Sequence, residues 1–233
     1  MFNPVAGRAV DRIARVMPSR GPSPSVCEFG NQRLDMALQT RDIKTTKEFY
    51  ANAGYTQYLA LDVNTRMDAV VQDLNHEVDV DAIGQFDLVT DNGTGEHLFN
   101  QLAVWKNHHD LTKVGGAMLK IMPYTPWCNH GFYNFNPIIY RDVAAANDYK
   151  WLFFWIVDRD NVPIDLPHQP SSFAFIEKRP RVLLEHTLDP KWKTDLYMVA
   201  AWVRTNSRDF QIPLQGKYLK DIGDDHMRGA YAP

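Results

Sequence analysis

The sequence predicts an α/β domain with a doubly wound sheet, and three stretches carry that prediction. At the centre, Phe86-Asp-Leu-Val-Thr90 is short, apolar at alternate positions and followed by the turn formers Asp91-Asn-Gly-Thr-Gly95, so it reads as a strand with polar side chains at its carboxyl end. Upstream, strand-length apolar runs at Ser25–Asn31, Tyr58–Asp62 and Ala69–Asn75 are interleaved with a helical pattern. Downstream, Trp151–Val157 and Leu196–Arg204 are continuous apolar runs of strand length. Strands that alternate with helices build a sheet covered on both faces, with ligands at the strands' carboxyl ends.

Taken in order, Pro4 to Met17 carries Val5, Ala9, Ile13 and Val16 with arginines between them, which predicts a short amphipathic helix lying across the domain. Pro18-Ser-Arg-Gly-Pro-Ser-Pro24 then forces an extended linker. Residues 1–24 are therefore read as helix and linker, ahead of a main domain over 25–233. Ser25-Val-Cys-Glu-Phe-Gly-Asn31 is a strand closed by a glycine turn. Thr45 to Ala53 is a helix with Phe49 and Tyr50 on its face, ended by Gly54, and Tyr58–Asp62 is a strand closed by an acidic residue. Ala69–Asn75 is a third strand, and residues 76–85 are an acidic, solvated connection.

From Glu96 onward, Leu98, Phe99, Leu102, Trp105, His109 and Leu111 recur at three- and four-residue intervals, which predicts a helix with one buried face. Lys113 and Gly115-Gly116 stop it. Ala117–Met122 is a strand broken at Pro123, and Tyr124 to Pro137 is a loop crowded with aromatic and polar residues. Ile138 to Asn147 suits a helix, Trp151–Val157 a strand buried on both faces, and Ser171–Glu185 another strand or hairpin. The connection from Arg159 to Asp195 exceeds an ordinary loop of ~4–6 residues and is rich in proline, so about 160–195 reads as an insertion that covers substrate or makes an oligomer contact. The tail from Asp209 reads as an irregular arm.

Composition excludes several classes. With 233 residues, 45% hydrophobic and 12% aromatic, the chain has material for one sizeable core and little for a second. A formal net charge of -3 gives no global attraction to nucleic acid or to an anionic membrane. No run approaches the ~18 apolar residues that span a bilayer, and residues 1–25 lack a signal-peptide core, so a cytoplasmic protein is expected. Two cysteines, Cys27 and Cys128, are too few for a disulfide framework or a paired-cysteine zinc site.

Glu96-His-Leu-Phe-Asn100, Leu111-Thr-Lys-Val-Gly-Gly116 and the hydrophobic strand ending at Pro123 resemble the second half of a class I S-adenosylmethionine-dependent methyltransferase, with departures at Leu98, Thr112 and Val114. The run His130-Gly-Phe-Tyr-Asn-Phe-Asn-Pro137 is similar to a poorly characterised bacterial and viral subgroup of methyltransferase-like proteins. The resemblance implies a Rossmann-like, seven-stranded sheet whose last strand is antiparallel, and S-adenosylmethionine as cofactor. It places Glu28 and Gly30 in the family's first motif, with Asn31 and Gln32 where further glycines are sought. It puts Asp62 at the ribose diol, where a carboxylate accepts both hydroxyl hydrogen bonds, with Asn64 beside it. Asp73 and Leu74 take the adenine-contacting places, and Asp91, Asn92 and Gly93 complete the cofactor set. The leading helix reads as a packing arm or, since leading helices in that family often help cover the cofactor site, as a lid.

Methyl transfer is an in-line displacement, so the protein has mainly to hold donor and acceptor collinear. A base is needed only where the acceptor must lose a proton, and His130 is the candidate, with His97 second. Trp127, Asn129 and Tyr133 are the candidate acceptor contacts. His108-His109 with Asp110 and Glu96 do not suggest a metal site, because neighbouring helical side chains point apart. The expected acceptor is a small molecule or glycan, with no membrane partner. Nucleic acid is not expected, since Asp91-Asn-Gly-Thr stands where base-modifying enzymes carry Asn-Pro-Pro-Tyr. Left open are a homo-oligomer, a methyltransferase fold acting as a binding or assembly module without catalysis, and a nucleotide-dependent enzyme of another class such as a dehydrogenase.

Overall fold

A computed structural model describes residues 1–17, 21–157, 195–225, 227 and 229. Among these residues seven strands form one sheet in the order β3-β2-β1-β4-β5-β7-β6. Strands β1 (Ser25–Phe29), β2 (Gln57–Asp62), β3 (Val70–Val71), β4 (Phe86–Asn92) and β5 (Thr112–Thr125) run parallel. The last strand, β7 (Leu196–Val203), lies antiparallel between β5 and β6 (Lys150–Val157). This is the sheet the sequence predicts. The expected segment Ser171–Glu185 and the insertion at about 160–195 lie outside the described residues, apart from Asp195.

Among the described residues the helices include α1 (Pro4–Val16), α2 (Thr46–Asn52), α3 (Val80–Ile83), α4 (Gln101–Asp110) and α5 (Pro137–Ala146). Their starts follow from capping chemistry: the Asn3 and Asn136 side chains each accept an N–H of the first turn ahead of a proline, and Thr45 and Glu48 form a reciprocal capping box. Val5, Ala9, Val10 and Ile13 of α1 are fully buried in one cluster with Val26, Leu88, Leu119, Phe153 and Val199. Helix α1 is therefore part of the main core. The opposite face packs α5 and Trp105 against Met118, Met198 and Trp202.

Several expected boundaries move, each for a local reason. The third strand is only Val70–Val71, because Asp73 Oδ1 accepts the Asn75 N–H and Nδ2 and turns the chain. The helix expected from Glu96 begins at Gln101, where Asn100 Oδ1 accepts the Ala103 N–H, and Gly95–His97 is instead a 3-10 turn. That shift leaves Phe99 and Leu102 exposed and buries Val104, Trp105, Asn107, His108 and His109. The helix ends at Asp110, and Lys113 to Gly116 belong to β5. A Cβ at Gly116 would lie 2.9 Å from Lys113 O and 3.0 Å from Phe86 O, so glycine is what lets this strand pass close to β4. Pro123 does not end β5, which continues to Thr125 across an irregularity in its pairing with β7. The apolar run Trp151–Val157 ends the sheet order instead of lying within it, and Trp151, Leu152, Phe154 and Trp155 are only partly buried. Among the described residues of the tail from Asp209, a 3-10 turn runs over Gly216–Asp221 and Asp225, Met227 and Gly229 are helical.

Candidate active site

The carboxyl ends of β1 and β2 meet in one polar corner. Gly30 has φ +76°, a backbone that side chains rarely adopt, and its N–H donates to Leu61 O. The turn delivers the Asn31 N–H to Asp62 Oδ2 at 2.7 Å, while Asp62 Oδ1 accepts the N–H and Nδ2 of Asn64. Among the described residues Asp62 Oδ2 accepts only the Asn31 N–H, so an oxygen with two lone pairs keeps one for a further donor. The Asn31 amide donates to Arg66 O, and its Oδ1 is buried with no hydrogen-bond partner among the described residues. Glu28 lies beneath, fully buried, accepting from Tyr58 Oη at 2.7 Å and Tyr50 Oη at 3.3 Å. Burial pushes its carboxyl up to about 7. Asp73 is half-exposed and accepts from Asn75, and Leu74 packs its side chain into the core with Phe29 and Leu61.

The turn after β4 is organised from inside. Asp91 is fully buried, its Oδ2 2.5 Å from Lys120 Nζ and its Oδ1 accepting the N–H groups of Gly95 and Thr94. Lys120 Nζ also lies 4.4 Å from the centre of the Trp105 ring, a cation–π contact. Thus Asp91 holds the turn. The Asn92 amide donates to Met1 O, and Gly93, at φ +74°, donates to Ile121 O. Thr94 Oγ1 donates to Phe29 O and accepts from Gln32 Nε2, and a Cβ on Gly30 would fall 2.2 Å from that hydroxyl. Glycine is required here because Thr94 occupies the space.

The same turn drives Glu96 inward and leaves His97 at the surface. Glu96 Oε1 lies 3.7 Å from His97 Nε2 and 3.4 Å from His130 Nε2, although His130 is 34 residues away. Its side chain is 2% exposed, and Oε2 is without a hydrogen-bond partner among the described residues. Burial first, then Asp91, raise the Glu96 carboxyl to about 8, and burial lowers His97. The loop carrying His130 is pinned to this point, since the Phe132 and Tyr133 N–H groups donate to Glu96 O and Tyr133 Oη donates to Phe99 O. Trp127 packs against His130 with ring centres 4.5 Å apart and the planes tilted by 55°, and it donates its indole N–H to Leu196 O. Asn129 is in the left-handed region at φ +58° beside them. The structure thus brings His97, His130 and Trp127 together, with Tyr133 fastened to the same turn. His108 and His109 are committed elsewhere, to Val89 O and to Tyr149 and Arg208 O. Sequence reasoning omitted Glu96 from the site, although its place directly before His97 in a strand-end turn was the available signal.

No family model matches the sequence, and no curated protein does. Among solved structures, a candidate methyltransferase from Bacillus halodurans C-125 superposes with a TM-score of 0.52 at 9% identity, covering 84% of this chain and 99% of that one. The fold is that of the class I methyltransferases. The 1,6-didemethyltoxoflavin N1-methyltransferase of Burkholderia thailandensis (TM-score 0.47, 13% identity, 87% and 80% covered) and a SAM-dependent methyltransferase from Archaeoglobus fulgidus (0.46, 14%, 84% and 94%) also match. Among the described residues no helix is long and apolar enough to cross a membrane.

S-adenosylmethionine, which this fold implies, presents an ammonium and ribose hydroxyls as donors. The strand ends meet them with acceptors: the spare lone pair of Asp62 and the unpartnered Oδ1 of Asn31. The residues present fit the group on its ribose side, while Thr94 and Gln32 narrow the space over Gly30.

Proposed function

We propose that this protein is an S-adenosylmethionine-dependent methyltransferase acting on an oxygen or nitrogen of a small molecule or glycan. The observation that carries the reading is the pairing, along one edge of the sheet, of an acceptor-rich corner at Asn31 and Asp62 with an imidazole pair at His97 and His130. When bound, the cofactor supplies an electrophilic methyl group. Asp62 and Asn64 hold its ribose, with Asn31 turning toward it, and Gly30 leaves the β1 turn open. The His130 imidazole, packed against Trp127, takes the acceptor's proton where the nucleophile must lose one. Exposed Phe99 and Phe132, in edge contact at 6.1 Å, give the mouth apolar surface suited to a ring-bearing acceptor. A surface of this kind also leaves room for a second copy of the chain.

A second reading, a binding module of the same fold without catalysis, is favoured by Thr94 closing over Gly30. Calorimetric titration with S-adenosylmethionine, S-adenosylhomocysteine and NAD tests both. Binding of the first two is expected, and Asp62→Ala is expected to weaken S-adenosylhomocysteine by roughly tenfold or more, the loss of a charge-assisted hydrogen bond of about 1.5–3 kcal/mol. No binding of either sulfur compound favours the second reading, and binding of NAD alone favours a nucleotide-dependent enzyme of another class.

A further inference from the structure

We propose that Glu96, His97 and His130 form a binding site for one divalent transition-metal ion of the Zn2+ or Co2+ type. Three observations lead there. One ligand atom from each residue lies within 4.8 Å of the other two. Two donors each about 2.0–2.1 Å from a tetrahedral ion lie roughly 3.3 Å apart, so the 3.4 and 3.7 Å separations from Glu96 Oε1 to the imidazoles are close to ligand spacing. The remaining edge closes by a small rotation of two side chains that are 46% and 37% exposed.

The second observation is independent of that spacing. Glu96 is 2% exposed on its side chain, and its Oε2 has no hydrogen-bond partner among the described residues. A buried carboxylate with one oxygen left without a partner is costly to keep charged, and a cation bound to its other oxygen offsets that charge.

The third is that the site is built. The 3-10 turn sets Glu96 and His97 side by side, and two backbone N–H groups of the loop, at Phe132 and Tyr133, bind Glu96 O and bring His130 opposite. Gly131 is closely fitted to the same pair, with a Cβ there falling 3.0 Å from Glu96 Cγ and 3.2 Å from His97 Nδ1. Two imidazoles and one carboxylate suit zinc and its first-row neighbours better than magnesium or calcium, which prefer all-oxygen shells. Three protein ligands leave a position open to solvent. If methyl transfer is the reaction, that position holds the acceptor oxygen and eases its loss of a proton in place of the His130 imidazole, which as a metal ligand no longer serves as the base, a consequence that rests on the proposed function, whereas metal binding does not.

The test is a Co2+ titration of chelator-treated protein, followed by visible absorption and calorimetry, with Zn2+ as competitor. One saturable equivalent is expected for the wild type. His97→Ala and His130→Ala should each weaken it by at least ~100-fold, since loss even of a supporting residue costs ten- to a hundredfold. The solvent-side His76→Ala should bind as the wild type does. Glu96→Gln should lose the site, and the two histidine variants keep the test decisive where Glu96→Gln does not fold. Absent saturable binding, wild-type affinity in both histidine variants, or a thiolate charge-transfer band that vanishes in Cys128→Ser would each overturn the proposal. S-adenosylhomocysteine titration of the same samples separates the two questions: cobalt binding without it leaves the metal site standing and removes the methyltransferase reading, and the reverse removes only the metal.

Discussion

Glu28 shows how one buried side chain writes a pH dependence into the whole protein. Its carboxyl, ordinarily near 4.5, is raised to about 7 by burial, despite hydrogen bonds from Tyr58, Thr46 and Tyr50 that favour the charged form. Between those values the native state keeps a proton that the unfolded chain has released. The stability this group contributes is therefore full below pH 4.5 and is lost as pH rises through 7, by roughly 3 kcal/mol in all. His108 acts in the opposite sense: buried and lowered to about 3, it costs stability as pH falls below its ordinary 6.5. The two slopes oppose each other over part of the range, so the wild-type profile alone does not isolate Glu28. Glu28→Gln, which mimics the protonated form, is expected to match the wild type near pH 4.5 and exceed it in urea-denaturation stability at pH 8. A difference that does not grow between those pH values would mean that Glu28 is ionised in the folded protein. Asp91 teaches a related lesson. A strand-end carboxylate looks like a ligand contact in sequence, yet here its oxygens are occupied by Lys120, Gly95 and Thr94, and it acts by shaping the turn.

At the scale of elements, the segment from Pro126 to Asn136 is a loop tied to the turn after β4 at Glu96 O, and further held through Tyr133 to Phe99 O and through Trp127 to Leu196 O. Gly131 sits where the loop presses on that turn. Gly131→Ala would add a methyl 3.0 Å from both Glu96 Cγ and Glu96 O, and one side must move. The expected result is a loss of about 1 kcal/mol, or a melting temperature lower by roughly 2–4 °C. Co2+ affinity should fall about tenfold with an unchanged far-ultraviolet circular dichroism spectrum. Wild-type cobalt affinity in this variant would show that the loop's seat on Glu96 does not set the cluster. Helix α1 illustrates the other extreme. Its spacing marks a helix in the sequence, but nothing in that spacing distinguishes an outlying arm from an element sunk into the core with β5 and β6.

For the whole molecule, a net charge of -3 and Asp91-Asn-Gly-Thr in the β4 turn predict no salt-dependent binding of DNA or RNA at micromolar protein. Fluorescence anisotropy with labelled oligonucleotides at low and moderate salt checks this, and affinity that falls steeply with salt would point to a nucleic-acid acceptor. Strand positions, the order of strands and helices, and the polar ends of β1, β2 and β4 were legible in the sequence because alternation, turn formers and apolar runs are local signals. Boundaries were less so: Asn100 capping moved α4 by several residues, and β5 ran through Pro123 because its partner β7 comes from a distant part of the chain. The sequence by itself determined the α/β architecture and singled out His97 and His130 as chemically useful. Only the tertiary structure decided that they share Glu96, since a contact across 34 residues depends on how two strand-end loops fold back on the same sheet edge. The burial that leaves Glu96 Oε2 without a partner is likewise a property of packed neighbours, which no local pattern records.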